Sequence, residues 1–462
     1  MKKTKRFVVL ALAATLLLSG CSGKKEKEAS SEAGKIKISI SNWPVESDKA
    51  RTETYAKYVD MLAERYPDIE VEGNTWTYDT STFLPMAASG SLPTVYKTPY
   101  TEVDKIINAN YARDITDTFK SYGYDKKIKE KYLDIVKSED KFYGVPISAS
   151  VMGLACNTKL FKQAGLVDKN GVPIFPETYD ELVETALRIK EKTGQAGLFL
   201  PTTNNQGGWI FMNIAWSNGV KFVDYKNGKW VAAFNTPECI EAMQFVKDLK
   251  WKHNVLQEDI LGSIDNFYQK FSADQAAMGF MYGSMWIRPV RLYQLELSTA
   301  SMGDVPAGKV SRSAVLGGDV YLFNQSATDS QVDAAFKWME ITGDAPVVDD
   351  NTIASWKANL DSQKADNRLI NGKVMSVWND EEWLKKNLEV RADYVNVDDR
   401  LFEDYFDVDD VDVHLEPAVC AQELYTMLDS ALQNVLSDKN SDVAAIVKKT
   451  AADFQKDYLD KQ

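Results

Sequence analysis

The sequence predicts an α/β fold on a parallel sheet, because strand and helix periodicities alternate near its start and aromatic residues stand where the strands end. Residues 35–40 alternate Ile36, Ile38 and Ile40 with polar residues, a strand pattern that runs into Asn42 and Trp43. From 52 to 66, Tyr55, Val59, Leu62 and Tyr66 share one helical face, and Pro67 stops the helix. Ile69 and Val71 alternate with acidic residues in a second strand that leads to Trp76 and Tyr78. A helix over 82–88 ends at Gly90, and a third short strand over 92–96 leads to Tyr100. This β-α-β-α-β order predicts right-handed crossovers and a ligand outside the carboxyl ends of the strands.

Later segments keep the same style. Thr178 with Glu181 makes a capping box before Leu182, Ala186 and Ile189. Thr236 caps a helix that has Pro237 at its first position and an apolar stripe of Ile240, Met243 and Val246. Val332, Phe336 and Met339 mark a helix after a strand at 319–323, and the chain from Ala421 onward reads as helices.

A chain of 462 residues is too long for one small core, and two or three folding units are expected. Its net charge of −13 argues against nucleic acid and anionic lipid surfaces as general partners. With two histidines, His253 and His414, a His-rich metal site is excluded and little room is left for Ser-His or Cys-His catalysis.

Lys2, Lys3, Lys5 and Arg6 precede an apolar run over 7–18, too short for a membrane span and suited to a secretory signal. Small residues then lead to Cys21, the pattern of a bacterial lipobox whose Cys becomes the lipidated N-terminus. Residues 1–20 are expected to be removed, which takes the net charge from −13 to −17 through loss of four cations. Residues 21–35 have no apolar period and read as a flexible tether. Cys156 and Cys239 are expected to be buried apolar residues, since three remaining cysteines cannot all pair. The expected location is the outer face of the cell membrane of a Gram-positive bacterium, with membrane contact through the lipid alone.

Several motifs then follow in order. Residues 88–95 read A-S-G-S-L-P-T-V, 140–146 read D-K-F-Y-G-V-P, and 153–161 read G-L-A-C-N-T-K-L-F with Ala164, Gly165 and Leu166 behind. Residues 176–182 read P-E-T-Y-D-E-L, 276–280 read A-A-M-G-F ahead of Trp286, and Gly317-Gly318 precedes a strand. Together they resemble the extracellular solute-binding proteins of ABC importers, of the maltodextrin and oligosaccharide type. Thr94 stands where that family has Asp, Cys156 stands for an aromatic, and Thr158 is inserted. The resemblance implies a periplasmic-binding-protein-like type II fold, two α/β lobes around a ligand cleft. Crossings are expected near 145–150, 304–307 and 343–355. Lobe one is then 36–147 plus 304–345, and lobe two 148–303 plus 346–455. It also implies a monomer that serves the transmembrane subunits of a permease, with no cofactor.

Sugars offer an apolar face for stacking and a rim of hydroxyls for polar side chains, so a sugar cleft needs neither histidine nor metal. Trp43 ends the first strand, Trp286 stands where the family places a stacking ring, and Trp209 sits in a polar Gly-rich loop. Gly207-Gly208 would let a backbone approach a ligand, with Asn205 and Gln206 toward its hydroxyls. Asp319 and Gly318 are expected to reach the cleft from lobe one. Asn42, Trp76, Asp79, Tyr100, Tyr282 and Trp356 complete the candidates, with Trp378 beside Trp356. Trp216, Trp230, Trp251 and Trp338 fit core faces.

Residues 303–310 nearly match a phosphate-cradling loop, but Val310 stands where a magnesium-binding hydroxyl is needed. The acidic stretch over 393–412 reads as a solvated, partly amphipathic insertion, with calcium binding as its alternative. Two other functions stay open: a binding protein for a charged solute such as a polyamine, and a surface carbohydrate-active enzyme working through paired carboxylates.

Overall fold

The computed structural model describes residues 34–408 and 410–462. The expected signal sequence and Cys21 lie outside the described residues. Ile36–Ile40 pairs in parallel with Ile69–Gly73 and with Val95–Pro99, as the β-α-β-α-β order predicts. The intervening helices are Lys49–Arg65 and Thr80–Ser89. The third strand begins at Val95 rather than at residue 92, because Ser39 and Thr94 exchange side-chain and backbone hydrogen bonds just before it.

Two long strands organise the rest. Gly144–Asn157 and Ser313–Phe323 pair antiparallel from Gly144 to Val151. Beyond Val151 the first of them takes different partners, Met278–Tyr282 on one side and Ala300–Asp304 on the other. The second pairs with Val95–Pro99 at its far end and with Asp412–His414 at its start. One eight-stranded sheet therefore passes between two halves through these two crossing strands, and residues 36–462 hold together as one unit.

The crossings differ from two of the expected ones. Residues 304–307 do not cross, since Ala307 pairs with Glu177 and Thr178 in the second half. The return passage is Ser313–Phe323 itself. Helix Asp350–Ala365 packs on Lys49–Arg65 and on Asp329–Thr342, so it sits with the first half although residues from 346 were expected in the second. Trp356 and Trp378 go with it. Trp356 is buried, donates its indole N–H to the Gly343 carbonyl and packs edge-on against Trp383. Trp378 packs on Tyr124. Both fill core where a cleft position was expected.

The acidic stretch is not a solvated insertion throughout. Phe402 and Tyr405 are buried against the second half, and the acidic side chains alternate outward. Among the described residues no group of three His, Cys, Asp or Glu is placed to hold a metal ion. Among them too, no helix is long and apolar enough to cross a membrane. Cys156 and Cys239 are buried free thiols, as expected.

Candidate ligand-binding cleft

The crossing strands make a floor where Gly318 pairs with Ala149, Gly317 with Ser150 and Asp319 with Ser148. Both glycines are dictated by close approach. A Cβ at Gly317 would lie 2.6 Å from the Tyr282 hydroxyl. A Cβ at Gly318 would lie 2.2 Å from the Ser148 carbonyl and 2.5 Å from the Tyr100 ring. Tyrosines from the two halves thus press on the same dipeptide, and only glycine fits between them. Tyr100 is buried and donates to the Ser148 carbonyl. Asp319 is half-buried and forms an ion pair with Lys97 at 2.7 Å.

On the first wall, the buried Glu102 accepts from the Tyr78 hydroxyl at 2.7 Å and pairs with Lys105 at 3.4 Å. On the second, Trp209 meets Tyr282 edge to face with centroids 5.0 Å apart. Glu416 accepts from the Tyr425 hydroxyl at 2.8 Å, and the Trp209 indole also hydrogen-bonds to it. Burial raises the Glu416 carboxyl above the ordinary carboxylate range, the Tyr425 and Trp209 hydrogen bonds oppose this, and the charge of Glu102 adds to it. The two walls are therefore within electrostatic reach of each other. Each offers a carboxylate steadied by a tyrosine, and the second adds two ring faces. That combination suits a ring bearing hydroxyls.

A cavity of about 370 Å³ adjoins the floor at Ala149 and Ser150. Trp286, Phe402, Tyr405 and Arg391 contribute to its lining. Tyr405 ties its two sides together: its hydroxyl donates to the Val151 carbonyl and accepts from the Gly283 N–H, each at 2.9 Å.

Trp209, Tyr282, Gly318, Tyr100 and Asp319 thus converge on the floor. Other candidates do not. Trp43 stacks on Trp338 and meets Tyr55 edge-on, closing the first strand against the two flanking helices. Asn42 takes a left-handed turn, φ 57°, and its amide N–H donates to the Trp76 carbonyl. Trp76 leans on Tyr78 and Tyr96 with its N–H on Thr82. Asp79 caps Thr80–Ser89, and the hydrogen bonds it accepts from Ser81 hold its carboxyl below its usual range.

The Gly-rich loop also has a different use. A Cβ at Gly208 would meet the Tyr425 carbonyl at 2.5 Å, so the backbone that approaches is helix Ala421–Ser437. Asp429 of that helix accepts from the N–H groups of Asn205 and Gly208. The Asn205 side chain bonds Gln422 and Thr426, and Gln206 accepts from the Ile264 N–H. The expected loop is the first turn of helix Gln206–Ser217, with Asn205 at its N-cap, and these amides fix the turn that presents Trp209.

Trp286 is turned away from the Tyr282 side. It is buried between Phe271 and Phe402, while the half-buried Met285 follows Gly283-Ser284 and its sulfur accepts from the Tyr282 N–H. One residue separates Gly283-Ser284 from Trp286, and that spacing rotates the ring inward. Glu102, Glu416, Tyr405 and Arg391 were not among the sequence candidates. The i, i+3, i+4 spacing of Phe402, Tyr405 and Phe406 was the available signal for the third. Glu416, ahead of Pro417 and a helix, carried only a weak one.

Residues 48–341 match the family model described as bacterial extracellular solute-binding protein. The multiple sugar-binding protein of Streptococcus mutans is 29% identical over 181 residues, 38% of this chain and 39% of that protein. The arabinooligosaccharide-binding protein of Bacillus subtilis is 22% identical over 256 residues, 54% of each. The chain thus aligns with about half or less of the length of these relatives. Among solved structures, the GacH receptor of Streptomyces glaucescens, determined unliganded and with acarbose, superposes with a TM-score of 0.65 at 18% identity. That match covers 91% of this chain and 97% of the receptor. Maltose-bound MalE3 of T. maritima gives 0.62 at 19% identity over 91% and 99%. These likenesses establish the fold, the two-lobed architecture with crossing strands.

Proposed function

The chain belongs to the bacterial extracellular solute-binding proteins, and from that premise we propose that it is a lipid-anchored receptor that captures a saccharide and hands it to the permease of an ABC importer. The observation that carries the saccharide reading is the pairing of Trp209 and Tyr282 with two tyrosine-steadied carboxylates, Glu102 and Glu416, on opposite walls of one floor. Rings cover the sugar face while the carboxylates accept from hydroxyls. The sugar-binding names of the two relatives and the acarbose and maltose held by the solved neighbours support the same class.

Capture works by closure. Lobe one comprises the first sheet half with helices through Glu381–Ala392, and lobe two the second half with the chain from Asp399 onward. A ligand touching both walls favours the closed arrangement by its extra contacts there. The membrane is reached through lipid on Cys21, across the tether at 21–35. The protein acts as a monomer, needs no cofactor and turns nothing over.

Calorimetry or thermal shift with arabino-, malto- and galacto-oligosaccharides, extended to acidic saccharides, tests the reading. At least one saccharide should bind in the micromolar range or tighter. Failure of the whole panel to bind or stabilise the protein refutes it.

A further inference from the structure

The cavity beside Ala149 and Ser150 is lined by three cationic side chains, Arg368, Lys373 and Arg391, and by no carboxylate. In a chain of net charge −13 this is a local reversal. Two of the cations are matched from behind, Arg368 by Asp366 at 2.9 Å and Lys373 by Glu403 at 3.4 Å. Arg391 is held differently. Its Nε donates to the Asn371 carbonyl at 2.6 Å, and among the described residues no carboxylate lies within 4.0 Å of its guanidinium. Asp399, the acid whose charge it feels, accepts from the Gly372 N–H. Arg391 is therefore the cation of this lining with no carboxylate of its own among the described residues, and its guanidinium is a ready donor to an acidic group in the cavity.

We infer that the solute is an acidic saccharide, and that the carboxylate of a uronic acid unit docks on Arg391. The inference rests on the saccharide reading above and narrows it. A carboxylate is planar and singly charged, and it matches the fork of one guanidinium. A phosphate monoester carries nearly two charges, more than one unmatched cation balances.

Isothermal titration of the full chain with trigalacturonate, a neutral galactotriose, a sulfated trisaccharide and a hexose phosphate tests this. Trigalacturonate should bind at least about 10-fold tighter than its neutral counterpart, and its affinity should fall as salt rises. Arg391→Gln should cost about 10- to 100-fold in trigalacturonate affinity, the range of a lost charge-assisted hydrogen bond. Arg391→Lys should recover part of it, and Lys448→Gln, on helix Val443–Asp457 outside the cavity lining, should change nothing. Because Arg391 also holds Asn371, the salt dependence of the unmodified protein decides the matter should Arg391→Gln unfold. Neutral binding as tight as acidic, or affinity insensitive to salt, overturns the inference and leaves the saccharide reading standing. Tighter binding of the sulfate or phosphate overturns the carboxylate assignment. If none of the four binds and the neutral panel also fails, both readings fall.

Discussion

Replacing Gly317 by alanine puts the cleft floor to a direct test. The new Cβ would stand 2.6 Å from the Tyr282 hydroxyl oxygen and 2.7 Å from the carbon that bears it. Ordinary contact begins near 3.4 Å, so the ring must retreat by about 0.8 Å. Its way back is blocked by Trp209, whose ring centroid is 5.0 Å away. Overpacking of this kind costs about 1–3 kcal/mol. Part of that cost should appear as lost stability in urea unfolding. The rest should appear as displacement of Trp209, seen as a changed tryptophan emission and weaker saccharide binding in the same sample. Gly34→Ala is the control, because nothing lies within 4 Å of a Cβ at that position. Gly317→Ala with unaltered stability, emission and affinity would refute the claim that the two rings press on the floor.

Other outcomes follow from the same geometry. Trp209→Ala should weaken saccharide binding by about 30-fold, equivalent to about 2 kcal/mol for a buried aromatic anchor, with little change in unfolding temperature; titration calorimetry reads it. Burial raises the Asp344 carboxyl to about 6, against about 3.9 in an unfolded chain. The folded state therefore keeps a proton that the unfolded chain releases between pH 4 and 6. Stability should fall as pH rises through that window, by about 3 kcal/mol at most, and Asp344→Asn should remove this slope in urea unfolding followed across pH. Cys21→Ser should move the protein from the membrane fraction to the medium on fractionation of expressing cells, and retention at the membrane would exclude the lipid anchor.

The first sheet half was legible because its strands alternate cleanly and each ends in a turn or cap, as at Ile36–Ile40 and Thr80–Ser89. The motifs carried the family for a similar reason, since they mark caps and crossings that any such fold must make. The site was less legible. The pattern puts Trp43 at the end of a strand and Trp209 in a Gly-rich segment, but does not say which ring meets a helix and which meets open space. In the sheet-end loop of Trp43 the partner is Trp338, nearly 300 residues away in sequence. Gly207-Gly208 indicated close approach correctly, yet the approaching backbone is a helix of the same chain. Arg391 lies in the helix Glu381–Ala392 with no motif around it, and its role depends on which carboxylates are elsewhere. Such information resides in tertiary neighbours and has no local trace.

The first crossing strand is continuous for fourteen residues, from Gly144 to Asn157, and takes new partners on both edges without a break. Mechanically it is a leaf spring and not a pivot. In the closure proposed above, relative movement of the halves would be taken up as added twist and bend along a hydrogen-bonded ribbon. The register shift between Asp319 and Val320 on the neighbouring strand is where that ribbon is softest, one residue beyond the glycine pair. Opening should then be narrow in amplitude and fast to recoil, and its range should be set by the elasticity of two strands more than by the length of any loop.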